Sequence, residues 1–596
     1  MKLSIIGICL TVSAASAQAP TRVDYSLRVD STDYPLVAVE MHVIGGPRAF
    51  RIAMSTHSEY DDQYWRYLTD IQATSTRGAA SISRADSNVW RVTAPAGDVT
   101  IHYHVRYPTS PPMQQQAWKA HLSRDGGLTG GPDSFLYVIG GERAPVRLSL
   151  KLPAGWQVAT GLARGTGDGE FTAPGAEALI DSPLMVGGFR SWEFALDGVP
   201  HRVAYLGHAG GVAFDSALMV SNLERLARAT VTMFRTMPYR QYQFLFEDGA
   251  SGGLEHLNSV SIGVRSADVA RDPNTMLSQI AHEFFHTWNE VHLRPASWTG
   301  LRHVMPRPTG ELWWAEGVTL YYADLVLRRA GLHTGDSTRW SRLERQIAMY
   351  NANPSHGVVS PEATSRAFNL SPALLGDYTP SMYTQGEMIG VMLDMIVRAE
   401  SHNAKSLDDV MRAMTRAFTP AHGYTGLDIE RAIRIACGCN TKPFFDKYVR
   451  AANPLDFNHV LAVLGLQSGV TWSPATGADG APLPDLRVSA FRPVGEEQPW
   501  LQVWFPQTVW GRAGLHTGDR LLSWNGRTIT EPQQLRSAVG VLRIGDSVRI
   551  EGLRATGLVE TTVHVAGYDR PVARLTELPG ATEAQRAIRA RWMAGQ

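Results

Sequence analysis

From about Val23 to Glu193 apolar and polar residues alternate in short runs, YSLRVD, VAVEMHVI, NVWRVTA, DVTIHYHVRY and RLSLKLP, separated by Gly, Pro and Asp. Successive side chains of a strand point to opposite faces of a sheet, so this alternation marks strands with one buried face. It predicts an antiparallel β-sandwich over residues 18–195, with 165–175 as a loop. The period then lengthens. DSALMVSNLERLARATVTMFRTM repeats its apolar positions at helical spacing, and DPNTMLSQIAHEFFHTWNEV follows, with Asp272 placed to cap a helix and Pro273 at its first position. Residues 196–472 therefore form a mainly helical domain. SPATGADGAPLPD, at 473–485, is a linker by its Gly, Pro and Ala content. Strand and turn signals return over 486–570, and 571–596 remain as a C-terminal tail. The fold class is multidomain α+β.

Composition narrows the function. The 596 residues exceed what one hydrophobic core supports, and 44% apolar against 19% charged residues is the balance of a folded globular chain. Fifty-six basic and 56 acidic side chains cancel, so no overall field gathers nucleic acid or anionic lipid. MKLSIIGICLTVSAASAQAP has an early Lys, an apolar run and an Ala-x-Ala spacing at Ala15 and Ala17, the pattern of a secretory signal over 1–17. Ile8 before Cys9 is too bulky for a lipoprotein cleavage site, so a soluble mature protein is expected, and the signal implies secretion across the inner membrane to the periplasm. No other stretch approaches 18 uninterrupted apolar residues, and no membrane span is expected. In the mature chain Cys437 and Cys439, in ACGCN, are either two thiols or a small local disulfide.

The chemistry concentrates in AHEFFHTWNE. His282 and His286 stand four apart, on one face of a helix, where two imidazoles can share a metal ion. The apolar stripe Leu277, Ile280, Phe284, Trp288 and Val291 lies on another face, so the core can hold the helix while the histidines face a cleft. HExxH alone also occurs by chance. A catalytic zinc needs a third protein ligand, and Glu316 in ELWWAEGVTLYYADL is the best candidate. Three prolines in the intervening LRPASWTGLRHVMPRPTG allow the chain to turn back, and an acid among large apolar residues is costly unless paired or metal-bound.

HEFFHTWN, LRP and WWAEGVTLYY together resemble the glycyl aminopeptidase family, relatives of the thermolysin-like gluzincins. The resemblance extends to SGGLEH at 251–256, similar to a substrate-binding Gly-Gly-x-Glu-His segment, and to YTQG at 383–386, similar to an element whose tyrosine steadies the tetrahedral intermediate. WFPQTVWGRAGLHTGDRLLSWNGRTI resembles a PDZ domain, through Ala513 to Leu515, Gly518, Asp519 and the turn Asn525-Gly526. RAGLHTGD also occurs at 329–336; both copies read as helix C-caps, and only the second has PDZ context. The implied architecture is an N-terminal β-domain, a thermolysin-like catalytic domain and a C-terminal PDZ domain. Two positions depart from the family: His292 stands where a basic residue is usual, and Gln385 where Lys is expected, which bears on substrate preference and on the placement of Tyr383.

What the resemblance implies is a zinc aminopeptidase. His282, His286 and Glu316 hold zinc, Glu283 takes a proton from the attacking water, and Tyr383 stabilises the charge that develops on the substrate carbonyl. Glu255 pairs with the substrate ammonium, while Gly252 and Gly253 let an extended backbone approach. His256 either lines the cleft or holds a neighbouring loop; Asn289 either orients a ligand or packs; Asp324 either supports its helix or is solvated. The substrate is a short peptide beginning with Gly or another small residue, and the PDZ domain is open to an extended peptide. Two other readings stay open: an endopeptidase that captures larger substrates with its PDZ domain, and a peptide-binding protein whose metal is structural.

Overall fold

The computed structural model describes residues 19–57, 63–109, 116–300, 307–332, 338–368, 370, 372–493 and 496–596. The signal segment expected at 1–17 lies outside them, as does part of the first RAGLHTGD copy. The chain divides into two compact units, one built mainly from residues up to Arg190 and the other from most of the remainder.

The first unit is β-rich. Its largest sheet has seven strands, and Arg22–Val29, Leu36–Gly46 and Gly97–Arg106 supply its centre. The alternating pattern does what it predicts: Val23, Tyr25 and Leu27, then Val37, Val39 and Met41, then Ile101, Tyr103 and Val105 are buried. Two four-stranded sheets complete the unit. The purely antiparallel expectation is corrected at one pair, since Arg22–Val29 runs parallel to Val146–Lys151. The loop expected over 165–175 contains a strand, Glu170–Ala173, paired with Val146–Lys151. Phe171 and Ala173 carry the buried face there, a strand too short to show its period in the sequence.

In the second unit, Tyr242–Asp248 runs parallel to Ser259–Val264, and Gly253–Glu255 pairs with the latter as the edge of a five-stranded sheet. Helix Ser216–Phe234 starts at Asp215, whose carboxylate accepts from the Leu218 N–H at 2.9 Å. The helix expected to start at Asp272 starts at Leu277 instead. Asp272 closes the shorter helix Ser266–Arg271, and its carboxylate is used in a turn by the Asn274 N–H, so it caps nothing downstream. Helices Thr319–Arg329 and Met382–Glu400 pack behind, joined by the Tyr321 hydroxyl, which donates to Asp394 at 2.7 Å; each also carries a buried ion pair of its own, Asp324 with Arg328 at 3.0 Å and Asp394 with Arg398 at 2.9 Å. Asp324 is thus a paired structural acid. Cys437 and Cys439 are disulfide-bonded at the end of helix Gly426–Cys437.

Strand Leu466–Pro474 leaves the helical region and pairs antiparallel with Asp569–Glu577, so the chain returns to where it left. Between these strands lies a six-stranded sheet with a core of Leu501, Trp510, Leu521, Leu535, Val548 and Ile550. Asn525 and Gly526 both adopt positive φ and join Arg520–Trp524 to Arg527–Thr528, as an Asn-Gly turn should. Residues beyond Glu577 form helix Glu583–Met593, whose buried Trp592 lies beneath Arg339 at 4.0 Å. Among the described residues no helix is long and apolar enough to cross a membrane.

One buried histidine gives this unit a pH dependence. His356 donates from Nδ1 to the Tyr350 carbonyl at 2.9 Å, and its Nε2 accepts from the Ser381 N–H at 3.1 Å. Burial pushes its pKa down to about 4, only partly opposed by the bond to Tyr350. The unfolded chain takes up this proton near its ordinary value of about 6.5, and the folded one only near 4. Stability is therefore complete above about 6.5 and lost as pH falls towards 4, by on the order of 3 kcal/mol. Urea unfolding from pH 7 to 4 should show this slope in the native protein and a flatter one in His356→Gln; equal slopes would contradict it.

Candidate metal centre and active site

Helix Leu277–His286 is fixed by aromatic packing on its apolar side. Phe284 meets Tyr242 edge-on at 4.9 Å, Phe285 stacks on Tyr322 at 4.7 Å, and just beyond the helix Trp288 stacks on Phe234 at 4.8 Å. With that side anchored, His282 and His286 share another, their ring centroids 4.5 Å apart.

The helix does not run on regularly. Thr287–His292 form a widened turn broken by Asn289 and Glu290, and Glu290 has φ 144°, which is strained for a residue with a side chain. The break turns the Asn289 carbonyl back to accept from His286 Nδ1 at 3.0 Å. A carbonyl can only accept, so the proton sits on Nδ1 and the Nε2 lone pair faces the cleft. Glu290 reinforces this, its carboxylate 3.5 Å from the same Nδ1. The Asn289 side chain points elsewhere: its amide reaches the carbonyls of Trp314 and Ala315 at 3.2 Å and the Thr319 hydroxyl at 3.0 Å. One residue both orients His286 and ties this helix to the segment bearing Glu316.

Glu316 lies in a π-helical turn, Trp313–Val318, that leads into helix Thr319–Arg329. Such widened turns recur at functional sites because they push a side chain out of helical register. Glu316 Oε2 stands 3.1 Å from His282 Nε2 and 3.1 Å from His286 Nε2, and the two nitrogens are 3.0 Å apart. A tetrahedral ion with bonds of about 2.0–2.2 Å holds its ligand atoms roughly 3.3–3.6 Å apart. The triangle fits such an ion with only a slight spreading. Among the described residues it is the one cluster of three His, Cys, Asp or Glu side chains with that geometry.

Electrostatics reinforce the fit. Burial alone would raise the Glu316 pKa, but His286 and the bonds from both histidines hold it well below the usual carboxylate range. Burial would lower His286, yet Glu316 and Glu290 outweigh it and raise it well above normal. His282 is lowered, by burial and then by His286. Glu316 is thereby held as a carboxylate beside the two imidazoles.

Glu283 abuts the edge strand Gly253–Glu255. A Cβ added at Gly253 would lie 2.8 Å from Ile262 Cδ1 and 3.0 Å from both Glu283 Cγ and the Gln279 amide nitrogen, so a larger residue would push these side chains aside. Gly252 before it has φ +77°, a conformation that favours glycine. Glu255 is buried, and its charge acts on both His282 and His286. His256 is buried with Nε2 3.2 Å from the Ser261 hydroxyl, and its N–H donates to the Ser259 carbonyl at 2.9 Å, so it holds the hairpin. Tyr383 occupies the first turn of helix Met382–Glu400, its ring 6.1 Å from that of His282. Gly386, which closes the YTQG motif, lets this helix touch the Glu316 turn: an added Cβ would fall 1.9 Å from the Trp313 carbonyl oxygen, and one on Gly317 would fall 2.4 Å from Gly386 Cα. The structure thus gathers the sequence-predicted residues into one region. Of the two roles open to Asn289, its carbonyl takes the orienting one, on His286, while its side chain ties the helix to the Glu316 turn; Glu290 is an addition. The strained break at Glu290 has no signature in the sequence, since nothing there predicts positive φ at a glutamate.

Family models match two parts of the chain, the peptidase M61 N-terminal domain at residues 24–188 and the M61 glycyl aminopeptidase at residues 275–389. Among solved structures, an aminopeptidase N family protein from Idiomarina loihiensis is similar over 96% of this chain and 100% of its own, with 20% identity and a TM-score of 0.75. An M1 zinc metallopeptidase variant from Deinococcus radiodurans, bound to a Tyr-Ser-Ala substrate, is similar over 73% of this chain and 95% of its own, with 15% identity and a TM-score of 0.47. None of the curated proteins compared matches the chain.

Removing the Asn289 side chain should loosen the joint between the two ligand-bearing segments. Asn289→Ala is expected to bind its metal about 10- to 100-fold more weakly. Competition with a chromogenic chelator measures this, and undiminished affinity would mean that packing alone sets the joint.

Proposed function

Because the chain is a metalloaminopeptidase of the M61 glycyl aminopeptidase family, we propose that its site holds zinc on His282, His286 and Glu316 and removes the first residue of a peptide. The observation that carries this reading is the convergence of three ligand atoms beside an edge strand that bears an acid, Glu255. Zinc bound there supplies a Lewis acid for the scissile carbonyl and lowers the pKa of a water.

The rest is done by the protein. Glu283 sits between the histidines in the sequence and contributes no ligand atom to the cluster. Its carboxylate takes the proton of the attacking water and passes it to the departing amine. Tyr383, across from His282, donates its O–H to the carbonyl oxygen as negative charge gathers there. The substrate lies extended along Gly253–Glu255, the edge strand of its sheet, and Glu255 pairs with its ammonium. A preference for Gly or another small residue first is in line with the M61 glycyl aminopeptidase model that matches residues 275–389.

Residues 486–570 are read as a PDZ domain. Its strand Val488–Phe491 is a sheet edge, helix Pro532–Gly540 packs against it, and an extended peptide added at that edge would continue the sheet. The segment 1–17 is read as a signal that delivers the enzyme to the periplasm.

Glu283→Gln should retain zinc and lose about 10²- to 10⁴-fold in kcat on aminoacyl substrates; full activity would sink the assignment. Hydrolysis should also demand a free amino terminus. A peptide cleaved as readily after N-acetylation would point to an endopeptidase, and Glu255→Gln should raise KM for the free amine by about 10-fold or more.

A further inference from the structure

We propose that the C-terminal β-domain is a working part of the catalytic site, holding through Asp377 and Thr379 the start of the helix that carries Tyr383. This rests on the role given to Tyr383 above. Strand Trp500–Val503 ends against the segment that leads into helix Met382–Glu400. The Thr379 N–H donates to the Trp504 carbonyl at 2.9 Å, and its hydroxyl donates to the Val503 carbonyl at 3.3 Å. Asp377 accepts from the Thr517 N–H at 2.7 Å and pairs with His516. Two residues beyond Thr379, Ser381 caps the helix, its hydroxyl accepting from the Thr384 N–H at 3.2 Å. Tyr383 lies between them.

A second support reaches the same point. The Ser381 N–H donates to His356 Nε2, and the Gln385 amide donates to the carbonyls of His356 and Val359. The turn bearing His356 is itself fastened by the Ser355 hydroxyl, which donates to the Trp504 carbonyl at 3.3 Å. That carbonyl has two lone pairs, and both are used, one for each support. Any shift of Val503 and Trp504 therefore moves the helix start by two routes at once. Val503 pairs with Val488 on the edge strand, so a ligand added to that edge lies one strand away from the supports.

Thr379 and Asp377 act through Tyr383 and touch no substrate, so they are positioning residues, and the test must separate positioning from plain stability. In the zinc-loaded full chain, Asp377→Ala and Thr379→Val should speed amide hydrogen exchange across residues 379–386 by about 10-fold or more, with unchanged zinc content. kcat should fall about 10-fold with KM within twofold, and Thr379→Ser should restore it. In a Tyr383→Phe background Asp377→Ala should change kcat less than twofold, because the group being positioned is already gone. Unchanged exchange in Asp377→Ala overturns the proposal whatever Tyr383 does. Multiplying kcat losses in the double variant also overturn it. Full activity in Tyr383→Phe alone overturns the role of Tyr383 instead, and is read independently of the exchange.

Discussion

Two imidazole nitrogens and a carboxylate oxygen meet at 3.0–3.1 Å in the interior of the second unit, and much of that unit exists to hold them there. Left to itself the group is expensive. Each polar atom gives up water, and partners of mixed charge in a buried site repay that loss only when their geometry is nearly ideal. A shared divalent cation resolves the conflict, because it satisfies all three lone pairs from one point.

The scaffold answers with rigidity on every side of the triangle. Aromatic stacking fixes the helix of His282 and His286, and the Asn289 amide fastens its end to the turn bearing Glu316. Gly317 and Gly386 then bring the Tyr383 helix into backbone contact with that turn. Strain is tolerated at Glu290 because it places the Asn289 carbonyl on His286 Nδ1, which fixes the tautomer that points a lone pair inward. A cost of about 1–3 kcal/mol at one residue is small beside loss of the metal.

How much of this was legible in the sequence depends on range. Local periodicity located the strands of the first unit, and the i, i+4 histidines, the acid in WWAEG and the glycines of SGGLEH and YTQG marked the groups that the fold brings together. Three features were hidden, each for a physical reason. The parallel pairing of Arg22–Val29 with Val146–Lys151 joins residues far apart in the chain, and no local pattern encodes it. Asp272 was misplaced because one carboxylate can cap a helix or close a turn, and only the neighbouring helix decides which. The return of the chain through Asp569–Glu577 depends on a partner strand about a hundred residues earlier.

Gln385 shows how a departure from a motif can be explained by its surroundings. The sequence comparison left it as a missing lysine two positions after Tyr383, with the placement of that tyrosine in question. The side chain is buried and donates to the carbonyls of His356 and Val359. A lysine there would offer the same acceptors an ammonium, a charge with no counter-ion among the bonds the glutamine makes, and would bear the cost of burying it. The neutral amide gives the helix start the same anchorage without that penalty. It also suits a neighbour, His356, that burial keeps uncharged down to about pH 4. The motif position therefore fixes where the tyrosine helix begins, and the requirement it meets is a buried donor rather than a charge.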